Sequence, residues 1–137
     1  MNTITEPKIL ELPKNKESRG YLTYIEKDLH IPFKIERAVW RYDLPMEEMP
    51  VGYACKNSEQ LIIPLTGSLE VLVTNGKNTS TFFLNKAFKG LYIPPEYWVK
   101  MKNFSSNSMI LLLGSEKYNE EEYVYEHYEF LKLKNHE

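Results

Sequence analysis

Two side chains that could exchange protons with a bound molecule, Tyr53 and Cys55, lie two positions apart in the segment 51–60. In a strand, side chains two positions apart share one face, so the phenol and the thiol would point the same way. A phenol has an ordinary pKa of about 10 and a thiol one of about 8.5, so each is a base at neutral pH only where its surroundings lower that pKa. Lys56 would lie on the opposite face from Cys55.

Packing is the alternative role for both side chains. A free cysteine commonly fills an apolar interior, and a tyrosine can occupy part of a pocket with its hydroxyl hydrogen-bonded. A shift of one residue in the strand register would turn both side chains to the other face. Proton transfer and packing therefore both stay open at this point.

Short strands separated by turns are expected to position this segment. Their side chains are β-branched, aromatic or alternately apolar and polar, which is typical of a closed or sandwiched sheet. The sequence predicts a hairpin around Thr66-Gly67 and a type I′ turn at Asn75-Gly76. The strand-like stretches are residues 21–26, 34–42, 61–65, 69–74, 80–84, 98–101 and 108–113.

Only the C-terminal part departs from the strand pattern. Asn119 can cap a helix whose first turn is residues 120–122, three glutamates that favour the positive end of a helix dipole. Aromatic residues continue this helix, and Lys132 and Lys134 lie near its other end. We predict an all-β fold with a short C-terminal helix.

Composition limits the class of protein. A chain of 137 residues with 42% hydrophobic and 13% aromatic residues fits one folded domain, residues 1–137. The net charge of −2, without a basic stripe, argues against binding of nucleic acid. One cysteine excludes an intramolecular disulfide, and no signal peptide or membrane-spanning apolar run is evident. A cytoplasmic protein without membrane contact is expected.

A series of short motifs, in order along nearly the whole chain, carries a resemblance to a known family. With these motifs the chain resembles the WxcM-like cupins, nucleotide-sugar 3,4-ketoisomerases that act on dTDP-4-keto-6-deoxyglucose. The resemblance implies a double-stranded β-helix, the RmlC-like jelly roll of cupins, and a homodimer without a metal cofactor. The motifs are Ser18-Arg19-Gly20, residues 31–37, Glu59-Gln60, residues 65–68, residues 90–95, Trp98, residues 103–106 and residues 118–123.

The resemblance implies that the family segment, which reads roughly R-G-x-H-A-H-K, performs an intramolecular oxidoreduction: one histidine carries a proton between C3 and C4 of the sugar through an enediol, and the other assists at the oxygens. At the arginine and the two histidine positions, this chain has Pro50, Tyr53 and Cys55. A further family position, often histidine or arginine, is Val99. The resemblance thus makes Tyr53 and Cys55 the candidate catalytic residues. The chain's histidines fall on no motif position: His30, His127 and His136.

Four other residues are candidate ligand contacts through the resemblance. Arg19 resembles an arginine that reaches a pyrophosphate in related cupins, and Arg37 lies on a strand that carries another substrate-facing arginine. A guanidinium suits phosphate because it donates two parallel hydrogen bonds, with a surface salt bridge as the alternative role. Glu59 could accept a hydrogen bond from a ligand hydroxyl. Trp98 could stack on thymine, with core packing as the alternative.

No metal and no other cofactor are expected. Metal-binding cupins use two histidines and a glutamate in the first motif and a histidine in the second. The corresponding positions hold a phenol, a thiol, a carboxylate and a valine, which are a poor set for iron, manganese or zinc.

The favoured interpretation is a diverged cupin of nucleotide-sugar metabolism that binds a dTDP-linked sugar or a similar ligand without a histidine acid–base pair. One alternative is an active 3,4-ketoisomerase that uses Tyr53 and Cys55. Another is a structural or assembly partner in a surface-polysaccharide pathway. Binding is favoured because each lost acid–base group lowers a rate by about 10²–10⁴.

Overall fold

The computed structural model describes residues 4–26, 29–44 and 52–135. Nearly all regular structure in this part of the chain is antiparallel β-sheet, which confirms the predicted all-β class. Its elements are β1 (Lys8–Glu11), β2 (Lys14–Glu17), β3 (Gly20–Thr23), β4 (Arg37–Arg41), β5 (Tyr53–Cys55), β6 (Gln60–Thr66), β7 (Leu69–Thr74), β8 (Thr79–Leu84), β9 (Lys89–Ile93), β10 (Trp98–Lys102), β11 (Met109–Gly114), β12 (Tyr123–Val124) and the helix α1 (His127–Asn135). No helix in these ranges is both long enough and apolar enough to cross a bilayer.

Two five-stranded sheets form the body of the fold. The first sheet has the order β1-β9-β6-β11-β4, and the second has the order β12-β5-β10-β7-β8. Strands β2 and β3 form a separate hairpin. Strand β4 is therefore one edge of the first sheet, and β12 is one edge of the second.

The main core lies between the two sheets. Ile62 and Ile110 of the first sheet pack there with Val71 and Val99 of the second, and all four side chains are fully buried. Because neighbouring strand residues alternate between faces, the intervening side chains form two further clusters on the outer faces. One covers the first sheet, and the other packs Trp98 against Phe130 of α1.

The predicted hairpin around Thr66-Gly67 is wrong. Strand β6 pairs with β9 and β11, whereas β7 pairs with β8 and β10, so this turn carries the chain from one sheet to the other. Gly67 has a φ of 75°, and a Cβ there would lie 2.4 Å from the Ser105 hydroxyl. The Ser68 N–H donates to that same hydroxyl at 2.9 Å, which fixes the corner.

The turn at Asn75-Gly76 does join two paired strands, β7 and β8, but it is not a two-residue type I′ turn. Four residues separate the last pair, Thr74 and Thr79. The Asn75 side-chain oxygen accepts the N–H groups of Lys77 and Asn78, each at 2.8 Å, and this local bonding stabilises the longer loop.

The C-terminal helix is shorter than predicted. Asn119 does act as a cap, since its side chain accepts the Glu121 N–H at 3.1 Å. The structure it begins is a single 3₁₀ turn, Glu120–Glu122, because the next residues, Tyr123 and Val124, pair with β5 as strand β12. The α-helix proper starts separately at His127.

Candidate functional site

A cavity of about 150 Å³ lies where β4, β6 and β11 of the first sheet meet β5 and β12 of the second. Its walls combine cations, phenols, one amide and aliphatic side chains, and none of the lining residues is a carboxylate or an imidazole. Such a surface suits a ligand that has both anionic and polar uncharged parts. The lining residues are Arg37, Val39, Arg41, Tyr53, Gln60, Leu112, Leu113, Tyr118, Tyr123 and Tyr125.

Strand β4 brings both arginines to this cavity. Arg37, Val39 and Arg41 alternate along the strand and line the cavity. The intervening Trp40 points the other way and is 60% exposed. The charged face of this edge strand is thus the inner one, and its aromatic face is turned to the outside.

The Arg37 guanidinium is held by neutral groups. It donates to the backbone carbonyls of Glu116 and Lys117 at 3.1 and 3.5 Å, and it lies 5.5 Å from the centre of the Tyr123 ring. Gly114, its pairing partner on β11, leaves room for it, because a Cβ there would lie 2.7 Å from the guanidinium. No carboxylate hydrogen bond compensates its charge in these contacts.

Tyr53 faces the cavity and is hydrogen-bonded within it. Its hydroxyl donates to the Gln60 side-chain oxygen at 2.7 Å. Val99 pairs with Tyr53 on the neighbouring strand and lies in the core at 0% exposure. Burial raises the pKa of Tyr53 far above the ordinary value, and the neighbouring Cys55 and Tyr123 raise it further. At neutral pH this phenol is therefore a hydrogen-bond donor and not a base.

Cys55 lies on the same strand face as Tyr53 but deeper, at 1% exposure. Burial raises the pKa of its thiol to about 12, and the Glu122 carboxylate contributes to the rise. The Arg37 guanidinium lowers the pKa, but by less than burial raises it. The thiol therefore stays protonated at neutral pH.

Strand β12 completes the wall through Tyr123, which pairs with Cys55. Burial raises the pKa of the Tyr123 phenol to about 12. The strand is held in place by the preceding turn, because the Glu122 carboxylate accepts the Ser58 N–H and the Glu122 carbonyl accepts the Lys56 N–H at 3.0 Å. The pKa values of all four lining phenols, Tyr53, Tyr118, Tyr123 and Tyr125, are raised and thus moved away from neutrality.

Two of the candidate ligand contacts lie away from the cavity. Glu59 accepts a hydrogen bond from the Tyr92 hydroxyl at 2.6 Å, and Tyr92 belongs to the cluster on the outer face of the first sheet. Trp98 packs on the outer face of the second sheet, with ring centres 5.9 Å from Phe130 and 5.1 Å from His127. Neither residue lines the cavity with Tyr53.

Arg19 is exposed in the turn between β2 and β3 and does not line the cavity either. His30 accepts the Glu26 N–H at 3.0 Å. Neither of the two described histidines, His30 and His127, lines the cavity. Pro50 and His136 fall outside the described residues. Across the described ranges, no three His, Cys, Asp or Glu side chains are grouped as a metal site.

Sequence reasoning missed Gln60, Arg41 and the tyrosines of the C-terminal segment. Arg41 could have been found, because it lies four residues after Arg37 and so shares its strand face. The sequence gives a weaker indication that Gln60 faces the cavity, since the residues after it are all apolar and do not alternate with polar ones. The tyrosines Tyr118, Tyr123 and Tyr125 reach the cavity only through the pairing of β12 with β5, which local sequence does not indicate.

Comparison with known proteins agrees with this architecture. A curated relative, the TDP-4-oxo-6-deoxy-alpha-D-glucose-3,4-oxoisomerase of Aneurinibacillus thermoaerophilus, is 34% identical over 127 residues, which is 93% of this chain and 91% of the relative. The crystal structure of a 3,4-ketoisomerase from Helicobacter canadensis is similar with a TM-score of 0.90 and 35% identity, covering 94% of this chain and 97% of that one.

A third similar protein is the WlaRB TDP-quinovose 3,4-ketoisomerase from Campylobacter jejuni, with a TM-score of 0.88, 35% identity, and coverage of 94% of this chain and 99% of that one. These likenesses confirm the cupin jelly roll predicted from the motifs. Residues 5–135 match the family described as FdtA: WxcM-like, C-terminal. The chain belongs to this WxcM-like cupin family, whose relatives named above are sugar 3,4-ketoisomerases.

Proposed function

We propose that this chain is a single cupin domain, residues 1–137, of a cytoplasmic protein that binds a sugar linked to thymidine diphosphate (TDP). It does so in the cavity beside Tyr53 and without a histidine acid–base pair. The observation that carries the proposal is a cavity with two arginines and no acidic lining residue, in a chain of a family of nucleotide-sugar enzymes.

The charge of the cavity favours a diphosphate. Arg37 donates to backbone carbonyls, which orient the guanidinium and leave its positive charge uncompensated. Arg41 lies at the exposed rim of the same strand face. Two guanidinium groups on one face can each donate paired hydrogen bonds to phosphate oxygens, and a site without carboxylates does not repel them.

The size of the cavity limits what enters it. Its volume of about 150 Å³ is below the roughly 300–1,000 Å³ of pockets for drug-sized ligands. An apolar cavity of about this size elsewhere holds one benzene ring. We therefore place one sugar ring against the inner wall, with the diphosphate at the rim beside Arg41. Tyr53 reduces the space available at the inner end.

Chemistry at the sugar is disfavoured by the protonation states. Tyr53 and Cys55 both have raised pKa values, so neither can accept the C3 proton at neutral pH. An active ketoisomerase using these two groups is the second candidate function. A role as an assembly partner in a polysaccharide pathway is compatible with binding, but no contact in the cavity favours it.

Binding of TDP is the direct test. With millimolar TDP the melting temperature should rise, because a ligand that binds only the folded state stabilises it. Arg41→Gln should weaken the TDP affinity by about tenfold or more, since it removes charge-assisted hydrogen bonds. Lys77→Gln, a change of the same kind in the loop between β7 and β8, should leave the affinity unaltered. No stabilisation of the unaltered protein by TDP would overturn the proposal.

We further propose that the protein is a homodimer formed through the outer face of the first sheet. Trp40 and Tyr42 are each 60% exposed on the outer side of β4. Beside them, an apolar groove of about 570 Å³ runs between the β2–β3 hairpin and side chains such as Ile63 and Leu111. Exposed apolar surface of this kind is typical of an interface, and the family resemblance supports a second copy as the proposed occupant.

Sedimentation of the purified protein tests the dimer. The unaltered chain should sediment as a dimer, and Trp40→Glu should raise the dimer dissociation constant by at least about tenfold, as expected for a buried interface tryptophan. Phe83→Glu is the matched control, because Phe83 is 61% exposed on β8 of the other sheet. A monomer at all concentrations, or equal effects of the two changes, would contradict this interface.

A further inference from the structure

One buried amide in the cavity has a hydrogen-bonded oxygen but a nitrogen without a partner. Gln60 is 4% exposed, and its side-chain oxygen accepts the Tyr53 hydroxyl at 2.7 Å. Its side-chain nitrogen has no hydrogen-bond partner among the described residues. Gln60 also lines the cavity, so this donor group is available from inside it.

A buried donor without an acceptor is unfavourable, and buried polar groups in native proteins are therefore usually paired. The Gln60 nitrogen has no partner among the described residues, and the aliphatic side chains of Val39, Leu112 and Leu113, which line the cavity with it, offer no acceptor. The acceptor that fits this position has to come from a bound molecule.

Tyr53 determines which end of the amide faces the cavity. The Tyr53 hydroxyl lies 2.7 Å from the side-chain oxygen of Gln60. Since it donates to the Gln60 oxygen, the amide NH₂ is left for the cavity. The inner end of the site is thus a hydrogen-bond donor flanked by aliphatic walls, and it favours a ring that carries an oxygen acceptor.

We infer that Gln60 is a specificity-determining residue that donates a hydrogen bond to a carbonyl or hydroxyl oxygen of the ligand's sugar, and that Tyr53 is the positioning residue that orients its amide. This inference rests on the proposed function and deepens it. It assigns the inner part of the cavity to the sugar, whereas the arginines bind the nucleotide diphosphate. TDP alone lacks the acceptor that Gln60 would bind.

Calorimetric titration of the whole chain with TDP and with TDP-4-keto-6-deoxyglucose separates the contribution of the sugar to the binding affinity from that of the nucleotide diphosphate. The unaltered protein should bind the sugar nucleotide more tightly than TDP. Gln60→Met, which keeps the length of the side chain and removes its donor, should reduce this preference by about tenfold. Tyr53→Phe should also reduce the preference, because the amide loses the donor that orients it. The affinity for TDP serves as the internal reference in each variant.

Side-chain amide resonances provide a readout that does not depend on how well a variant folds. Gln60 is the only glutamine of the chain. The NH₂ pair of this glutamine in a ¹H–¹⁵N spectrum should shift when TDP-4-keto-6-deoxyglucose is added, and it should shift much less with TDP. Asn78, in the loop between β7 and β8, is the control amide whose signals should stay in place.

The possible results distinguish a failure of the Gln60 assignment from a failure of the proposed function. If the unaltered protein binds TDP but its preference for the sugar nucleotide is unchanged in Gln60→Met, or if the Gln60 amide does not shift, the assignment of Gln60 is overturned while the proposed function stands. If the unaltered protein binds neither molecule, the proposed function is overturned and the assignment with it.

Discussion

Incubated with TDP-4-keto-6-deoxyglucose in deuterated water, the protein is expected to exchange the C3 proton at least about 100-fold more slowly than a ketoisomerase with an intact acid–base pair, since one such group contributes about 10²–10⁴. The physical reason is the protonation state of the two candidate bases. Burial raises the pKa of Tyr53 and brings that of Cys55 to about 12, so both hold their protons at pH 7. Proton NMR of the sugar measures the exchange directly.

Introducing imidazoles at positions 53 and 55 tests the same argument, because it supplies the bases that the protein is proposed to lack. The double variant Tyr53→His with Cys55→His places groups of near-neutral pKa on the cavity face of β5, and it should raise the exchange rate by at least about tenfold. The matched control is Tyr53→Gln with Cys55→Ser, which changes the packing in the same places without adding a base. Fast exchange by the unaltered protein that is lost in Tyr53→Phe or Cys55→Ala would instead establish the alternative ketoisomerase function.

Strand β4 was predictable from the sequence, but the orientation of its two faces was not. The alternation of residues 34–42 predicted a strand with two different faces, and the strand Arg37–Arg41 is present. Alternation does not tell which face is inside, and a charged face is ordinarily the outer one. Here the charged face lines a cavity, while Trp40 is 60% exposed. The usual arrangement is reversed in this strand, whose charged face lines a cavity and whose aromatic face is exposed.

The neighbouring residues Glu59 and Gln60 illustrate a second limit. Only one of two adjacent strand residues can face the cavity, and the apolar run that follows them gives no alternation from which to choose. The register is set by contacts remote in sequence, because Leu61 packs with Tyr92 on the outer face while Ile62 lies between the sheets. The position of Tyr123 also depends on a contact remote in sequence, because this residue pairs with Cys55, 68 positions earlier in the chain.

What the sequence could predict is therefore that the β5 segment turns Tyr53 and Cys55 toward the interior of the fold. The resemblance placed Tyr53 and Cys55 on one inward face. In the structure Tyr53 lines the cavity, and Cys55 is buried on the same strand face close to Arg37. The sequence could not predict the protonation of these groups, because their pKa values depend on burial and on charges such as Glu122 that arrive from other elements.

The thiol of Cys55 is expected to react with iodoacetamide about 1,000-fold more slowly in the native protein at pH 8 than in the chain unfolded in urea. The reactive species is the thiolate, and its fraction falls tenfold for each unit by which the pKa exceeds the pH. Burial raises this pKa from 9.0 to about 12, and the 1% exposure of the side chain hinders the reagent further. Alkylation can be followed by mass spectrometry.

The same shift predicts how stability depends on pH. Because the folded-state pKa of Cys55 is raised, its contribution is fully present below pH 9.0, the unfolded value, and is lost as the pH rises toward about 12. Across that window the free energy of unfolding should fall by up to about 1.4 kcal/mol per pH unit more in the unaltered protein than in Cys55→Ala. Tyr53 and Tyr123 titrate in both proteins, and because Cys55 also raises their pKa values, the difference reports the thiol together with this coupling. Equal alkaline slopes, together with rapid native alkylation at pH 8, would mean that folding does not raise the pKa of Cys55, and would remove the argument against this thiol as a base.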